Sequence, residues 1–301
     1  VSLALIRASY TPNANSCGTI TTTGAKYAYK GETSLYTAST GERTTTCTAF
    51  TVNTGYTFTG WYTAATNGNR VLTAEGELTG SAVSGYTTAT AFDSTQNRTL
   101  YAHCTKNSYT ITIKAGNGLS AVTLSGWTNS GTATMTKSME YGDALDLSGI
   151  TATFKDGYSG KAYVKTSGAG SISGSTFTVG AGVTTITVNA TTIATPTPTV
   201  SIASTSKVYG ASTTALSATV SNTYDSGITV TYTYYYDTSA SGSYANTQTS
   251  PISATSHKGT RYYKVKATAS DGTLTSSTGT SSNNVSLALI RASYTPNANS
   301  C

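Results

Sequence analysis

Charge is what this chain has least of. Asp, Glu, Lys and Arg make up 10% of its 301 residues, against about 25% in an ordinary globular protein. The charges that remain are scattered, with no Lys/Arg cluster and no basic helix, which excludes the electrostatic footprint of a nucleic-acid binder. His is rarer still: His103 and His257 lie in unrelated segments. Neither stands in a nucleophile-elbow pattern, so the many Ser residues find no triad base. Long apolar runs are missing too, and none approaches the ~18 residues of a membrane span. No stretch of about eleven residues keeps an apolar period of 3.6, which excludes a fold built on amphipathic helices.

Metal and phosphate signatures are equally absent. No Asp-x-Asp-x-Asp-Gly run suggests calcium, and Gly116-Asn117-Gly118 reads as a turn, with no helix or Lys-Ser/Thr pair after it to hold a phosphate. Glu75/Glu77 and Asp143/Asp146 sit in Gly-rich stretches and read as solvated loop carboxylates. No cofactor, no metal and no enzymatic activity are expected.

What fills the gap is Thr, Ser and Gly, with 22 Tyr against 5 Phe. Thr and Tyr favour half-buried strands, and Gly and Ser punctuate turns. The expectation is a mainly β protein.

The chain also repeats itself. Val1–Cys17 reads VSLALIRASYTPNANSC, and Val285–Cys301 reads the same without a substitution. That identity marks a period of 284 residues, one of which fills this sequence with a short overlap. A period of that length suits two or three domains of roughly 100 residues each. With the repeated Arg291 removed, one period carries 17 basic and 12 acidic residues, a mild excess spread over a solvated surface. Cys301 repeats Cys17, so a period holds three cysteines, Cys17, Cys47 and Cys104. Their spacing matches no zinc pattern. A disulfide in an oxidising compartment fits them better, with three intrachain pairs available and one thiol left over.

Taken in order, residues 1–6 form a short apolar run whose copy, with Val285, Leu287 and Leu289, closes the segment before it. It reads as an inter-repeat strand: the last strand of a preceding domain. Residues 7–16 hold Pro12 and small polar residues and read as a linker. From 17 to 106 runs a first unit, with 31–49 irregular enough for a short helix or a loop. Its strongest feature is Gly55-Tyr56-Thr57-Phe58-Thr59-Gly60-Trp61-Tyr62. Regular alternation puts Tyr56, Phe58 and Gly60 on one face and Thr57, Thr59 and Trp61 on the other. The unit closes on Thr99-Leu100-Tyr101-Ala102-His103-Cys104.

These two runs resemble the internalin-type B-repeat, also called the Listeria–Bacteroides repeat. The matches are Gly55, Tyr56, Phe58, Gly60, Trp61, Tyr62, Leu100, Tyr101 and Ala102. The family usually has Trp where this chain has Cys104, and the insertion 64–95 is longer than usual. The resemblance implies a small β-grasp-like module of bacterial surface proteins, with Trp61 packed inside it. Residues 107–194 look like a diverged second copy: Gly157–Tyr163 takes the place of the GYTFTGWY run, 185–190 that of the closing strand, and Trp127 stands ready as a core aromatic. Thr195-Pro196-Thr197-Pro198 is a stiff hinge. Residues 195–290 resemble a bacterial immunoglobulin-like sandwich. Its strands are expected at 199–203, 216–220, 229–237, 261–269 and 285–290, with Tyr232, Tyr234 and Tyr236 on the buried face. Residues 291–301 begin the next period.

In the β-grasp order that the resemblance implies, the first and last strands run parallel at the sheet centre. With the first strand taken to start at Cys17 and the last to end at Cys104, those two lie at opposite ends. The resemblance therefore implies a Cys47–Cys104 disulfide, with Cys17–Cys47 as the alternative. The expected protein is a structural, non-enzymatic stalk or filament on the outside of a bacterial cell, with two β-grasp-like modules and one sandwich per period. Its partners would be adjacent copies of the repeat and neighbouring chains of a fibre. The alternatives are an adhesin for host glycan or protein, and a pilin-like subunit polymerising by strand addition.

Overall fold

A computed structural model describes residues 7–20, 26–37, 43–44 and 50–291. Residues 1–6, Cys47 and residues 292–301 lie outside the described residues, and with them the inter-repeat strand expected at 1–6 and most of the stretch 291–301 expected to begin a next period. Among the described residues every regular element is a strand and none is a helix. The mainly β expectation holds. The chain packs as two compact units. One holds the chain up to Thr112 with Lys137–Ser148 and Lys165–Thr185, and the other holds Ile113–Thr136, Gly149–Val164 and the chain from Ile186 on.

The N-terminal region contains β1 (Arg7–Asn13), β2 (Gly18–Ile20), β3 (Lys26–Tyr29), β4 (Leu35–Thr37), β5 (Arg43–Thr44), β6 (Phe50–Val52), β7 (Tyr56–Tyr62), β8 (Arg70–Leu72) and β9 (Arg98–Lys106). Seven of them form one sheet in the order β5-β4-β3-β1-β9-β7-β8, and β2 pairs with β6. The expected linker at 7–16 is thus largely a central strand. Tyr10, with no exposed surface, anchors it. Pro12 is tolerated because β3 pairs with Arg7–Tyr10 only, leaving the later half of β1 bonded on one side, to β9. In the stretch 31–49, expected as a short helix or a loop, the described part carries β4 and β5.

The long insertion folds back on this sheet. Gly31 N–H donates to the Phe92 carbonyl and Phe92 N–H to that of Glu32, both at 2.8 Å. Phe92 is thereby set 5.5 Å, centroid to centroid, from the Tyr10 ring. Buried Val83 and Phe92 join Trp61, Leu72 and Leu100 in one core.

The middle region contains β10 (Ser108–Ala115), β11 (Leu119–Thr123), β12 (Thr134–Glu140), β13 (Ala144–Asp146), β14 (Thr151–Phe154), β15 (Tyr158–Ser173) and β16 (Thr176–Ile193). The main sheet runs β12-β10-β16-β13, with β15 also on β16, while β11 pairs with β14. Here, as in the N-terminal region, the first strand lies next to the last. β15 and β16 are 16 and 18 residues long, longer than the short motif strands expected at 157–163 and 185–190. In β16 a period of two buries Thr184, Ile186, Val188 and Ala190 on one face. Trp127 is buried, as expected of a core aromatic.

The C-terminal region contains β17 (Pro198–Ile202), β18 (Ser206–Val208), β19 (Leu216–Val220), β20 (Thr229–Asp237), β21 (Asn246–Gln248), β22 (Gly259–Ser270), β23 (Gly279–Thr280) and β24 (Val285–Ile290). β17 and β19 form one sheet; β18-β24-β22-β20-β21, with β23 on β22, form the other. Val200 and Leu216 from the first meet Tyr263, Val265, Leu287 and Leu289 from the second in one core. The alternation expected in β22 is present, with Tyr263, Val265 and Ala267 at 0–1% exposure. Tyr232, Tyr234 and Tyr236 pack against this core but stay half-buried.

Candidate functional site

The GYTFTGWY run does not alternate as its sequence implies. The β7–β9 register slips between Phe58 and Gly60, so Phe58 faces Cys104 and Gly60 faces His103 with Thr59 bulged out between them. The slip brings Phe58 and Trp61, three apart, onto one side. Their centroids are 5.4 Å apart, and Phe50 completes a trio at 4.6 Å from Phe58 and 5.7 Å from Trp61. Gly60, at φ +131°, is required at the slip because a Cβ there would overlap the Leu72 carbonyl. Thr59 turns its hydroxyl to the His103 carbonyl at 3.0 Å. Tyr62 stacks on the His103 ring at 3.9 Å, and the His103 Nε2 lies 2.8 Å from the Ala64 carbonyl. Every motif side chain is occupied with its neighbours.

The cysteines require a correction. Cys17 and Cys104 form a disulfide, with Cα atoms 5.7 Å apart, so Cys104 is not available to Cys47. The expected pairing fails because the first strand begins earlier than Cys17. β1 ends at Asn13 and runs parallel to β9, with Asn13 beside Tyr101. Cys17 therefore follows the end of one strand, just where Cys104 sits near the end of the other. The turn between depends on Asn15 and Ser16, at φ 49° and 60°. It is tied down by the Asn15 amide, which donates to the Ala65 and Ala102 carbonyls at 2.8 and 3.1 Å.

Sequence reasoning missed the residues between regions. Gly55 lies against the Tyr141 ring, where a Cβ would overlap it, and Tyr56 meets Tyr141 edge-on at 5.7 Å. Asn107 N–H donates to the Gly55 carbonyl, and Tyr141 N–H to that of Asn107, both at 2.9 Å. Asn107, the residue between β9 and β10, is thus held from both sides.

A second such cluster centres on Asp271. Its Oδ2 accepts from the Asn117 amide at 2.7 Å and the Tyr158 hydroxyl at 2.8 Å. Its Oδ1 accepts from the Thr273 and Leu274 N–H groups. Beside it the Tyr224 hydroxyl donates to the Ala194 carbonyl at 2.8 Å, and Asp225 N–H to that of Asp156 at 2.9 Å. The expected hinge at 195–198 is pinned as well: Thr197 N–H donates to Asn222 Oδ1, whose amide returns a bond to the Thr195 carbonyl. An isolated Asp before a Gly reads as a turn, which it also is, with Gly272 at φ +86°. Nothing local marks its second set of partners.

Burial alone would raise the Asp271 carboxyl. The bonds from Leu274, Asn117, Thr273 and Tyr158 outweigh it and hold the group well below the usual carboxylate range. The lowered folded pKa stabilises the fold above the unfolded value near 4, and that contribution is lost as pH falls through it. Acid unfolding of the C-terminal region should accordingly steepen below about pH 4, and Asp271→Asn should flatten that slope. Equal slopes for the two proteins would show that the cluster contributes nothing.

His257 is buried. Its Nδ1 lies 2.9 Å from the Ser256 hydroxyl and its Nε2 3.2 Å from the Leu287 carbonyl of β24. Burial pushes its imidazole below the ordinary value. Among the described residues no three His, Cys, Asp or Glu side chains converge as a metal site would need, and no helix is long and apolar enough to cross a membrane. Val285, Leu287 and Leu289 lie in β24, between β18 and β22, with Leu287 and Leu289 buried. No protein-family model, no curated protein and no solved structure matches the chain.

Proposed function

We propose that this chain is one period of a structural, non-enzymatic repeat protein that forms a stalk or filament on the outside of a bacterial cell. On this reading the N-terminal and middle regions are β-grasp-like modules of the B-repeat type, and the C-terminal region is an immunoglobulin-like sandwich. The observation that carries it is the identity of residues 1–17 with 285–301. Two features support it. The contacts around Asn107 and Asp271 tie each region to the next by specific bonds, as beads in series under tension need. In both of the first two regions the first strand lies beside the last, β1 beside β9 and β10 beside β16, with β3 and β12 on the outer side of the first strand and β7 and β15 on the last.

The test is the mass of the native material after reduction and boiling. A chain of many periods runs at several times the 30.9 kDa of this sequence. A single band at 30.9 kDa would overturn the covalent array. It would favour the second reading, in which separate subunits polymerise by strand addition. That reading draws on β24: it fills a slot between β18 and β22, and residues 1–6 carry the same sequence.

A further inference from the structure

The polypeptide enters the N-terminal sheet through β1 and leaves it through β9, with Asn107 alone before β10. β1 and β9 are parallel neighbours, Tyr10 beside Arg98 and Asn13 beside Tyr101. Arg7, where the chain comes in, and Lys106, where it goes out, therefore lie at opposite ends of the pair. Tension along the chain would slide one strand past the other and load their bonds together, instead of opening them one after another. Both ends of the pair are clamped further. Ser9 N–H donates to Asn97 Oδ1 at 3.0 Å at one end, and the Asn15 amide reaches the Ala102 carbonyl at 3.1 Å at the other. Just beyond, the disulfide joins Cys17 to Cys104, 87 residues apart in sequence.

We infer that the Cys17–Cys104 bond is a tension-bearing link, through which force crosses the N-terminal region while the chain between the two cysteines stays out of the load path. Force would travel along β1 to Cys17, pass from sulfur to sulfur, and leave through the end of β9. The core around Trp61 takes its side chains from the bypassed segment with the exception of Tyr10, so those residues would stay closed in their loop under loads that separate β1 from β9. This gives the chain a mechanical function beyond its length. Its biological setting rests on the stalk reading, whereas the property itself belongs to a single chain.

The experiment is a force ramp on the full 301-residue chain held by its two ends, first as folded in oxidising buffer and then in dithiothreitol. In oxidising buffer the N-terminal region should release only the short segments outside the bridge. In dithiothreitol it should release an additional length of about 300 Å, the contour of the bypassed residues at roughly 3.4 Å each. A gain of about 190 Å would mean a Cys47–Cys104 bond and one of about 100 Å a Cys17–Cys47 bond; either, or no gain, overturns the inference. Cys17→Ser should release the long step without reductant, and if that variant does not fold, reduction of the unaltered chain still decides. The outcome is separate from the mass test: native material at single-chain mass leaves this bond's role intact, and an unchanged step length in a multi-period chain overturns this inference alone.

Discussion

Replacing Trp61 by Ala should destabilise the N-terminal region by about 3–5 kcal/mol, the usual range for deleting a buried large aromatic. Trp61 is 2% exposed. It is wedged edge-on against Phe50 and Phe58 and pairs across the strands with Leu72 and Ala102. Truncation loses the transfer free energy of the indole and leaves a cavity. The walls of that cavity resist collapse, because Gly60 and the slipped register fix the backbone on either side. Urea titration followed by circular dichroism measures the loss, with Trp127 fluorescence as the reporter of the middle region. The middle-region transition should stay in place. A change below about 1 kcal/mol, far under the range for core aromatics, would mean that Trp61 serves something other than packing.

Removing the disulfide should have an effect of similar size. In the chain-entropy model, opening a loop of 87 residues costs about 4–5 kcal/mol. Comparing the double variant Cys17→Ala, Cys104→Ala with the oxidised protein should show the N-terminal transition at much lower urea. Its dependence on urea should be steeper, because the unfolded chain is no longer held in a loop. Non-reducing peptide mapping of the unaltered protein should yield a Cys17–Cys104 peptide. A Cys47–Cys104 peptide, or a loss of stability below about 1 kcal/mol, would overturn the assignment.

The pairing of Cys104 marks the point at which sequence reasoning fails. Parallel first and last strands are the correct premise, yet they give the wrong partner when the first strand is started at Cys17, because β1 starts at Arg7. Arg7–Asn13 has one large apolar residue, Tyr10, and a Pro, which is the composition of a linker. It becomes a strand because β3 offers a ladder to its first half and β9 one to its second, the two overlapping at Tyr10, and distant strands leave no mark on a local segment.

The sequence by itself determined that the protein is built of strands, since scarce charge, abundant Thr and Tyr, and the absence of a helical period leave no other way to bury its apolar residues. It carries residues 1–17 over again at 285–301. It also placed β20, β22 and β24 to within a few positions, because two-residue alternation is a local property of a half-buried strand. Only the tertiary structure decided which face Trp61 takes, since a register slip at Thr59 inverts the alternation and depends on the Leu72 carbonyl meeting a residue without a Cβ. Only the tertiary structure joined Asn117 and Tyr158 to Asp271, residues more than a hundred positions apart. Such a hydrogen bond needs two groups within about 3 Å in space, and no spacing along the chain encodes that distance.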